Sequence, residues 1–203
     1  IYDEKSVAAA DAPDSVFESA VTSEKLKSDW LINSKGSENP YQLWMEMGKL
    51  MTENVTVVRY NDRLQKTLAD CESWKQRYKN VRLSDTGLWT NQNLSFTRAL
   101  GDMIKYAEAI IRGAILRNES RGMHFKPDFP ERDDANFLKT TVARYDVSSD
   151  SAKIDYVPVD ISLLAPEARN YGKKADSQKP TPATSKAGQA MAAPGPVIGA
   201  PKP

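Results

Sequence analysis

The sequence predicts a mainly α-helical fold: a bundle of three to four helices, followed by a small β-hairpin and a disordered tail. Three observations lead there. Apolar residues recur at three- and four-residue spacing in separate stretches, most plainly from Phe96 to Ile115, as they do in helices that bury one face. Two later segments, Lys139-Thr-Thr-Val-Ala-Arg-Tyr145 and Lys153-Ile-Asp-Tyr-Val157, alternate with the period of a strand. From about Lys173 onward Pro, Ala, Gly, Ser and Thr dominate without any period, a composition that cannot offset the entropy of ordering.

Taken in order, a first helix is expected from Ser15, after Pro13-Asp14, with Val16, Phe17, Ala20 and Val21 on one face and Leu26, Trp30 and Leu31 continuing the stripe. Ser34-Lys-Gly-Ser37 links it to the next. Asn39 followed by Pro40 is a strong helix start, and Leu43, Trp44, Met47, Leu50 and Met51 follow at helical spacing. The β-branched run at Val55, Val57 and Val58 loosens the chain. Asn61 or Asp62 is then expected to cap a third helix, with Leu64, Leu68, Cys71, Trp74 or Lys75, and Tyr78 on one face and an end near Asn80. The fourth helix carries Phe96, Leu100, Met103, Ile104, Ala107, Ile110, Ile111, Ala114 and Ile115, a stripe wide enough to meet at least two neighbours. Its end is expected near Asn118. The two strands fold back about Ser148-Ser-Asp-Ser151 to form the hairpin.

Composition narrows the function. With 203 residues, 40% hydrophobic and 27% charged, the chain lies in the globular range, as one domain plus a tail. Lys and Arg number 28 against 27 Asp and Glu, a net charge of +1, so bulk electrostatics do not point to nucleic acid or an anionic bilayer as partner. No stretch approaches the ~20 apolar residues of a membrane span, and no signal peptide is visible at the start. The lone Cys71 has no companion for a disulfide, zinc or iron–sulfur site, and beside Trp74 it reads as a small core residue. Met45, Met47 and Met51 read as core filler. No GxGxxG after a strand, no P-loop and no paired His is present.

The most informative stretch is Arg117-Asn-Glu-Ser-Arg-Gly-Met-His-Phe-Lys-Pro-Asp-Phe-Pro-Glu-Arg-Asp-Asp134. Its eighteen residues hold three Arg, two Glu, three Asp, one Lys and the only His of the chain, interleaved with Phe125, Phe129 and two prolines. Pro127 and Pro130 forbid a regular helix, and Gly122 offers a left-handed cap to the helix before it. The stretch reads as an ordered, irregular arm whose alternating charges form pairs that fix geometry. His124, with no Ser, Cys or second His at motif spacing, reads as structural, a proton carrier being the alternative. Glu131, Asp133 and Asp134 resemble a loose cation site, but Arg132 among them fits salt bridging better than a calcium cage.

The arm is also where the chain resembles a family. Its pattern is similar to the C-terminal helical domain of the flavoprotein subunit of succinate dehydrogenase and fumarate reductase, with Arg-x-Glu-Ser-Arg-Gly-Ala-His, then Asp-(Phe/Tyr)-Pro-x-Arg-Asp-Asp. Asn39-Pro-Tyr-Gln-Leu-Trp-Met-Glu-Met-Gly-Lys-Leu-Met-Thr-Glu-Asn-Val-Thr-Val-Val-Arg59 and Arg77-Tyr-Lys-Asn-Val-Arg-Leu-Ser-Asp-Thr86 resemble it in the same order, so that the likeness covers residues 30 to 172. Met123 departs from the usual Ala and bears on local packing.

The resemblance implies residues 1–14 as a remnant of an upstream linker or capping region, residues 15–172 as the helical C-terminal domain, and residues 173–203 as a disordered Pro/Ala-rich tail. It implies a fragment without catalytic or cofactor-binding residues, FAD being held by upstream domains of the intact subunit. The expected partners are the FAD-binding domain, an iron–sulfur subunit and, indirectly, membrane-anchor subunits. The expected location is the cytoplasmic face of the inner membrane, peripheral through partners, or the matrix side in a mitochondrion. Arg117, Glu119, Arg121, His124, Asp128, Arg132, Asp133 and Asp134 are the expected domain or subunit contacts, an internal Glu119–Arg121 ion pair being the alternative. On this reading the arm is solvent-exposed and partly unsatisfied in the chain alone. A free-standing helical interaction module would instead show a self-contained arm, and an L-aspartate oxidase-like flavoenzyme is the nearest competitor within the enzyme class.

Overall fold

The computed structural model describes residues 12–164, 166 and 167; the expected tail at residues 173–203 and nearly all of the expected remnant at residues 1–14 lie outside them. By its contacts the chain divides at Asp160, and the elements below all belong to the first unit.

Helix α1 spans Asp14–Asn33. Its expected apolar face is not a core face: Val16, Phe17, Val21 and Leu26 are all exposed, and only Leu31 is buried. The reason is reach, because α1 is tied to the bundle only through its second half. Arg98 pairs with Glu24 and donates to Ser28 Oγ at 2.7 Å, and Trp30 meets the Tyr78 ring at 5.7 Å. Helix α2 covers Pro40–Val55. Asn39 Oδ1 accepts from Tyr41 N at 2.9 Å and Pro40 stands at the first helical position, which satisfies one orphan donor and requires none from the proline. Leu43, Met47 and Val55 are buried, while Trp44 is exposed at the rim with its ring edge against Phe96.

Helix α3 runs Asn61–Tyr78 and is entered from Tyr60 without a side-chain cap. Asn61 does not cap it, because its amide is engaged elsewhere, donating to Asn118 Oδ1 and accepting from Lys126 Nζ. Leu64, Cys71 and Trp74 are buried on one face, as the spacing predicts. Burial, with Glu108 nearby, pushes the Cys71 thiol up to about 12, so it is inert at neutral pH.

Helix α4, Gln92–Leu116, is the spine. Asn91 Oδ1 caps it from Leu94 N at 2.8 Å. Leu100, Ile104, Ala107, Ile111 and Ala114 are buried, but Met103 and Ile110 are exposed, so the core stripe is narrower than predicted. Gly101 admits the Tyr78 ring, whose hydroxyl donates to Thr97 O at 2.9 Å; a Cβ at Gly101 would stand 2.7 Å from that ring. The loop before α4 turns at Thr90, φ 51°, and lifts Leu88 and Trp89 into solvent, 82% and 88% exposed.

After residues 117–133 comes a single-turn helix not foreseen from sequence, α5 at Asp134–Phe137, capped by Asp133 through Asn136 N at 3.0 Å. Strands β1, Lys139–Asp146, and β2, Ser151–Pro158, then pair antiparallel. The turn lies one residue earlier than expected, because Ser151 already pairs with Asp146. The Asp146 carboxylate gathers Ser148 N at 3.0 Å and both turn hydroxyls. Among the described residues no helix is long and apolar enough to cross a membrane.

One charged cluster escaped the sequence reading. Glu108, buried on the core side of α4, holds Lys75 Nζ at 2.8 Å and Arg112 Nε at 2.7 Å, and Lys75 donates onward to Asp150 O at 2.5 Å. Desolvation opposes the Lys75 charge, but Glu108 outweighs it and raises the pKa. This cluster ties α3, α4 and the hairpin turn together. Replacing Ile111, fully buried near the C-terminal end of α4, with Ala is expected to lower unfolding free energy by ~2–5 kcal/mol. Phe17→Ala on the exposed face of α1 is expected to change it by less than ~0.5 kcal/mol. Urea titration followed by circular dichroism compares the two, and equal effects would contradict the architecture.

Candidate functional site

The arm is built on a backbone pinned to the loop between α2 and α3. Phe125 N donates to Val57 O at 3.1 Å and Arg59 N to Phe125 O at 2.8 Å, a parallel bridge with Val58. Arg121 and His124 exchange backbone hydrogen bonds at 2.8 and 3.0 Å around Gly122, φ 59°, and Met123. Gly122 thus opens a two-residue turn of the type that needs Gly first. It does not cap α4, which ends six residues earlier at Leu116. Ser120 Oγ accepts from Lys126 N at 3.0 Å and donates to Phe129 O at 2.8 Å, closing the loop on itself.

Glu119 is the hub of this loop. Its carboxylate is fully buried and accepts a two-pronged contact from Arg121, at 2.9 Å on each oxygen, a third bond from Asp133 N at 2.9 Å, and a fourth from Arg117. Burial works against its ionisation, but Arg121, the Asp133 amide and Arg117 outweigh it and hold its pKa below the usual carboxylate range. Arg121 continues to Asp134 at 2.6 Å, and Arg132 meets the other Asp134 oxygen at 2.7 Å. Arg117 donates to Phe137 O at 2.9 Å and Lys139 O at 2.6 Å, and so locks the end of α4 to the start of β1. The arm is exposed at Met123, Phe125 and Asp128 to Glu131, as expected, but the expectation that it is partly unsatisfied is corrected. Its charges satisfy one another because Arg and carboxylate alternate within a loop closed by its own backbone.

His124 stands beside this hub. Arg59 Nη1 donates to Nδ1 at 2.5 Å, and the ring's Nε2–H then donates to Arg117 O at 2.9 Å. A guanidinium can only donate, so the ring is the neutral tautomer protonated on Nε2. Burial first, then the charges of Arg59, Lys126 and Arg117, lower its pKa against the opposing bond to Arg117 O. Lys126 is buried too, with its ammonium on Asn61 Oδ1 at 2.7 Å, Asn118 Oδ1 at 3.0 Å and Ile115 O at 3.1 Å. Burial and Arg59 bring its pKa down to about 8, still charged at neutral pH.

Of the expected contact residues, Arg117, Glu119, Arg121, Arg132, Asp133 and Asp134 are brought into one network, and His124 adjoins it through Arg117 O. Asp128 is exposed and acts only on the charge of Lys126. Arg59, Asn61, Asn118 and Lys126 are not among the expected contacts, although Asn118 and Lys126 lie within the arm, Arg59 ends the segment from Asn39 and Asn61 reads as a cap. Among the described residues no three His, Cys, Asp or Glu converge as a metal site. The only described strands are antiparallel neighbours, whereas a dinucleotide cradle needs a strand, a Gly-rich turn and a helix N-terminus. These described residues do not fit a flavin dinucleotide.

Between α4 and the hairpin, Arg59, Arg117 and His124 line a cleft of about 400 Å³ whose walls include Tyr106, Ile110, Thr141 and Ile154. The Tyr156 hydroxyl, across from Thr141 in the sheet register, is buried with no hydrogen-bond partner among the described residues.

Residues 44–171 match the family model described as fumarate reductase flavoprotein C-term. The chain is 43% identical over 166 residues to the succinate dehydrogenase flavoprotein subunit of Bacillus subtilis, covering 82% of this chain and 28% of that protein. It is 33% identical over 185 residues to the fumarate reductase flavoprotein subunit of Escherichia coli, 90% of this chain and 31% of the relative. A chain of a substituted E. coli quinol fumarate reductase superposes with a TM-score of 0.76 at 33% identity, over 83% of this chain and 29% of that one. The chain thus spans less than a third of these curated relatives.

Three outcomes are expected from this geometry. Glu119→Gln, which leaves two arginines facing a neutral amide in a buried site, is expected to cost ~3–5 kcal/mol in a urea titration. Tyr156→Phe is expected to be neutral or stabilising, since it removes an unsatisfied buried hydroxyl. Acid should act in two steps. His124 binds its proton less readily folded than unfolded, so the stability it contributes is full above about 6.5 and is lost as pH falls through its lower folded value. Glu119, also depressed, contributes stability that is full above about 4.5 and is lost as pH falls further. Midpoints measured from about pH 8 down to about pH 2 should lose the first step in His124→Gln and keep the second.

Proposed function

Since the chain belongs to the fumarate reductase flavoprotein C-terminal family, we propose that it packs as a helical domain on the FAD-binding domain of a succinate dehydrogenase or fumarate reductase flavoprotein and helps dock an iron–sulfur subunit. The intact subunit interconverts succinate and fumarate and passes electrons towards quinone. FAD is supplied by the upstream domain, and this domain, residues 15–172, performs none of the chemistry. Membrane-anchor subunits touch it only indirectly, nucleic acid is no partner, and the assembly sits peripherally at the cytoplasmic face of the inner membrane, or on the matrix side in a mitochondrion.

The observation that carries the reading is the apolar surface left uncovered. The first three turns of α1 expose Val16, Phe17 and Val21, and the tip before α4 exposes Leu88 and Trp89, more than a chain without a partner has reason to leave wet. The self-contained arm is the one feature that favours a free-standing interaction module. A pre-folded arm serves docking equally well, because a surface ordered beforehand loses less entropy on binding. Arg121, Arg132 and Asp128 would meet the partner through their solvent edges, while Glu119 holds the arm in shape. The 43% identity to a succinate dehydrogenase subunit favours the respiratory enzymes over an L-aspartate oxidase.

The test is co-purification of this chain with the FAD-binding domain expressed as a separate polypeptide. The parent chain is expected to be retained, and Phe17→Ser and Trp89→Ser to reduce retention at least tenfold with unchanged thermal melts. Absence of retention, or retention indifferent to both substitutions, would contradict docking through these faces.

A further inference from the structure

Seven arginines among the described residues are half-buried, and six of them, Arg77, Arg98, Arg112, Arg117, Arg121 and Arg132, lie within 4 Å of a carboxylate. Arg59 is the exception. Its Nε donates to Val55 O at 2.9 Å and one Nη1–H to His124 Nδ1 at 2.5 Å, which leaves the Nη2 side of the fork without a partner among the described residues. Its neighbour Lys126 is likewise served by neutral acceptors.

The charge count decides what is missing. In the Glu119 network Arg117, Arg121 and Arg132 pair with Glu119 and Asp134, while the Asp133 carboxylate accepts from Asn136, so that network has no carboxylate to spare for Arg59. Arg59 and Lys126 are two full cations. Each touches a carbonyl in the last turn of a helix, Val55 O of α2 and Ile115 O of α4, and each helix end supplies about half a negative charge. About half a positive charge is left over on each. The exposed Asp128 acts on Lys126 and not on Arg59.

Arg59 lines the cleft of about 400 Å³ between α4 and the hairpin. We infer that this cleft receives an aspartate or glutamate side chain of the polypeptide that packs on this chain, its carboxylate held two-pronged by Arg59. The inference rests on the docking reading above and adds the chemistry of one contact. His124 acts as a positioning residue, its neutral Nδ1 fixing the guanidinium so that the remaining N–H groups point outward. The rim argues for a protein carboxylate over a small anion. Tyr106 and Ile110 border the cleft 71% and 50% exposed, and only a partner with apolar surface around its acid would cover them.

Calorimetric titration of this chain with the FAD-binding domain, at low and at raised salt, tests the inference. Arg59→Met is expected to weaken binding at least tenfold and to flatten the salt dependence. Arg59→Lys keeps the charge without the fork; it guards against misfolding of the first variant and is expected to weaken binding several-fold. If both bind as the parent does while Trp89→Ser does not, the carboxylate contact is overturned and the docking reading stands. If the parent fails to bind, both are overturned. In the chain alone, saturable shifts of the Arg59 Nε and His124 ring resonances with millimolar acetate or phosphate would assign the cleft to a small anion and overturn the protein contact.

Discussion

A single buried carboxylate organises the C-terminal half of this chain. Glu119 has no access to water, yet it is ionised, because Arg117, Arg121 and the Asp133 amide surround it. A charge taken out of water is tolerated only when its lone pairs are filled with good geometry, so every group around Glu119 is obliged to stay. Arg117 is thereby held where it can grip Phe137 O and Lys139 O, and Asp133 where it can cap α5. The arm, the short helix and the entry to β1 follow from that one constraint.

Glu108 repeats the device one layer away. It too is buried, and it too is held by cations from different turns or elements, Lys75 of α3 and Arg112 of α4. Through Lys75 it reaches the hairpin turn, while Glu119 through Arg117 reaches the hairpin's open end. A two-stranded hairpin is marginal alone; here both ends are fastened to helices by buried ion clusters. Such clusters add less to stability than their number suggests, but they select one arrangement of the elements, and removing one member strands the others. The result is an arm already shaped before any partner arrives, with apolar faces on α1 and at Trp89 still uncovered.

The elements legible in the sequence were those with local chemistry behind them. Asn39-Pro40 and the run from Phe96 to Ile115 announce α2 and α4, because capping and helical spacing act over a few residues, and the alternation around Ser148 announces the hairpin. What escaped depended on distant partners. The stripe on α1 was visible, but nothing local says whether a stripe is covered within this chain. Asn61 looked like a cap and was taken instead by Lys126 and Asn118, 65 and 57 residues away in sequence. The arm was recognisable as charged and ordered, whereas its closure on itself depends on the turn at Gly122 and the bridge to Val58, neither of which leaves a pattern. Arg59 follows a β-branched run and matters only because of what does not stand beside it.

The central claim is that the arm is folded by its own charges in this chain alone. Native-state hydrogen exchange at the Asp133, Phe125 and Arg59 amides, which bond to Glu119 Oε2, Val57 O and Phe125 O, tests it most directly. The account predicts that these three amides exchange as slowly as those in the middle of α4. Exchange at the rate of an unstructured peptide, with α4 still protected, would mean that the arm takes shape only on a partner and would contradict it.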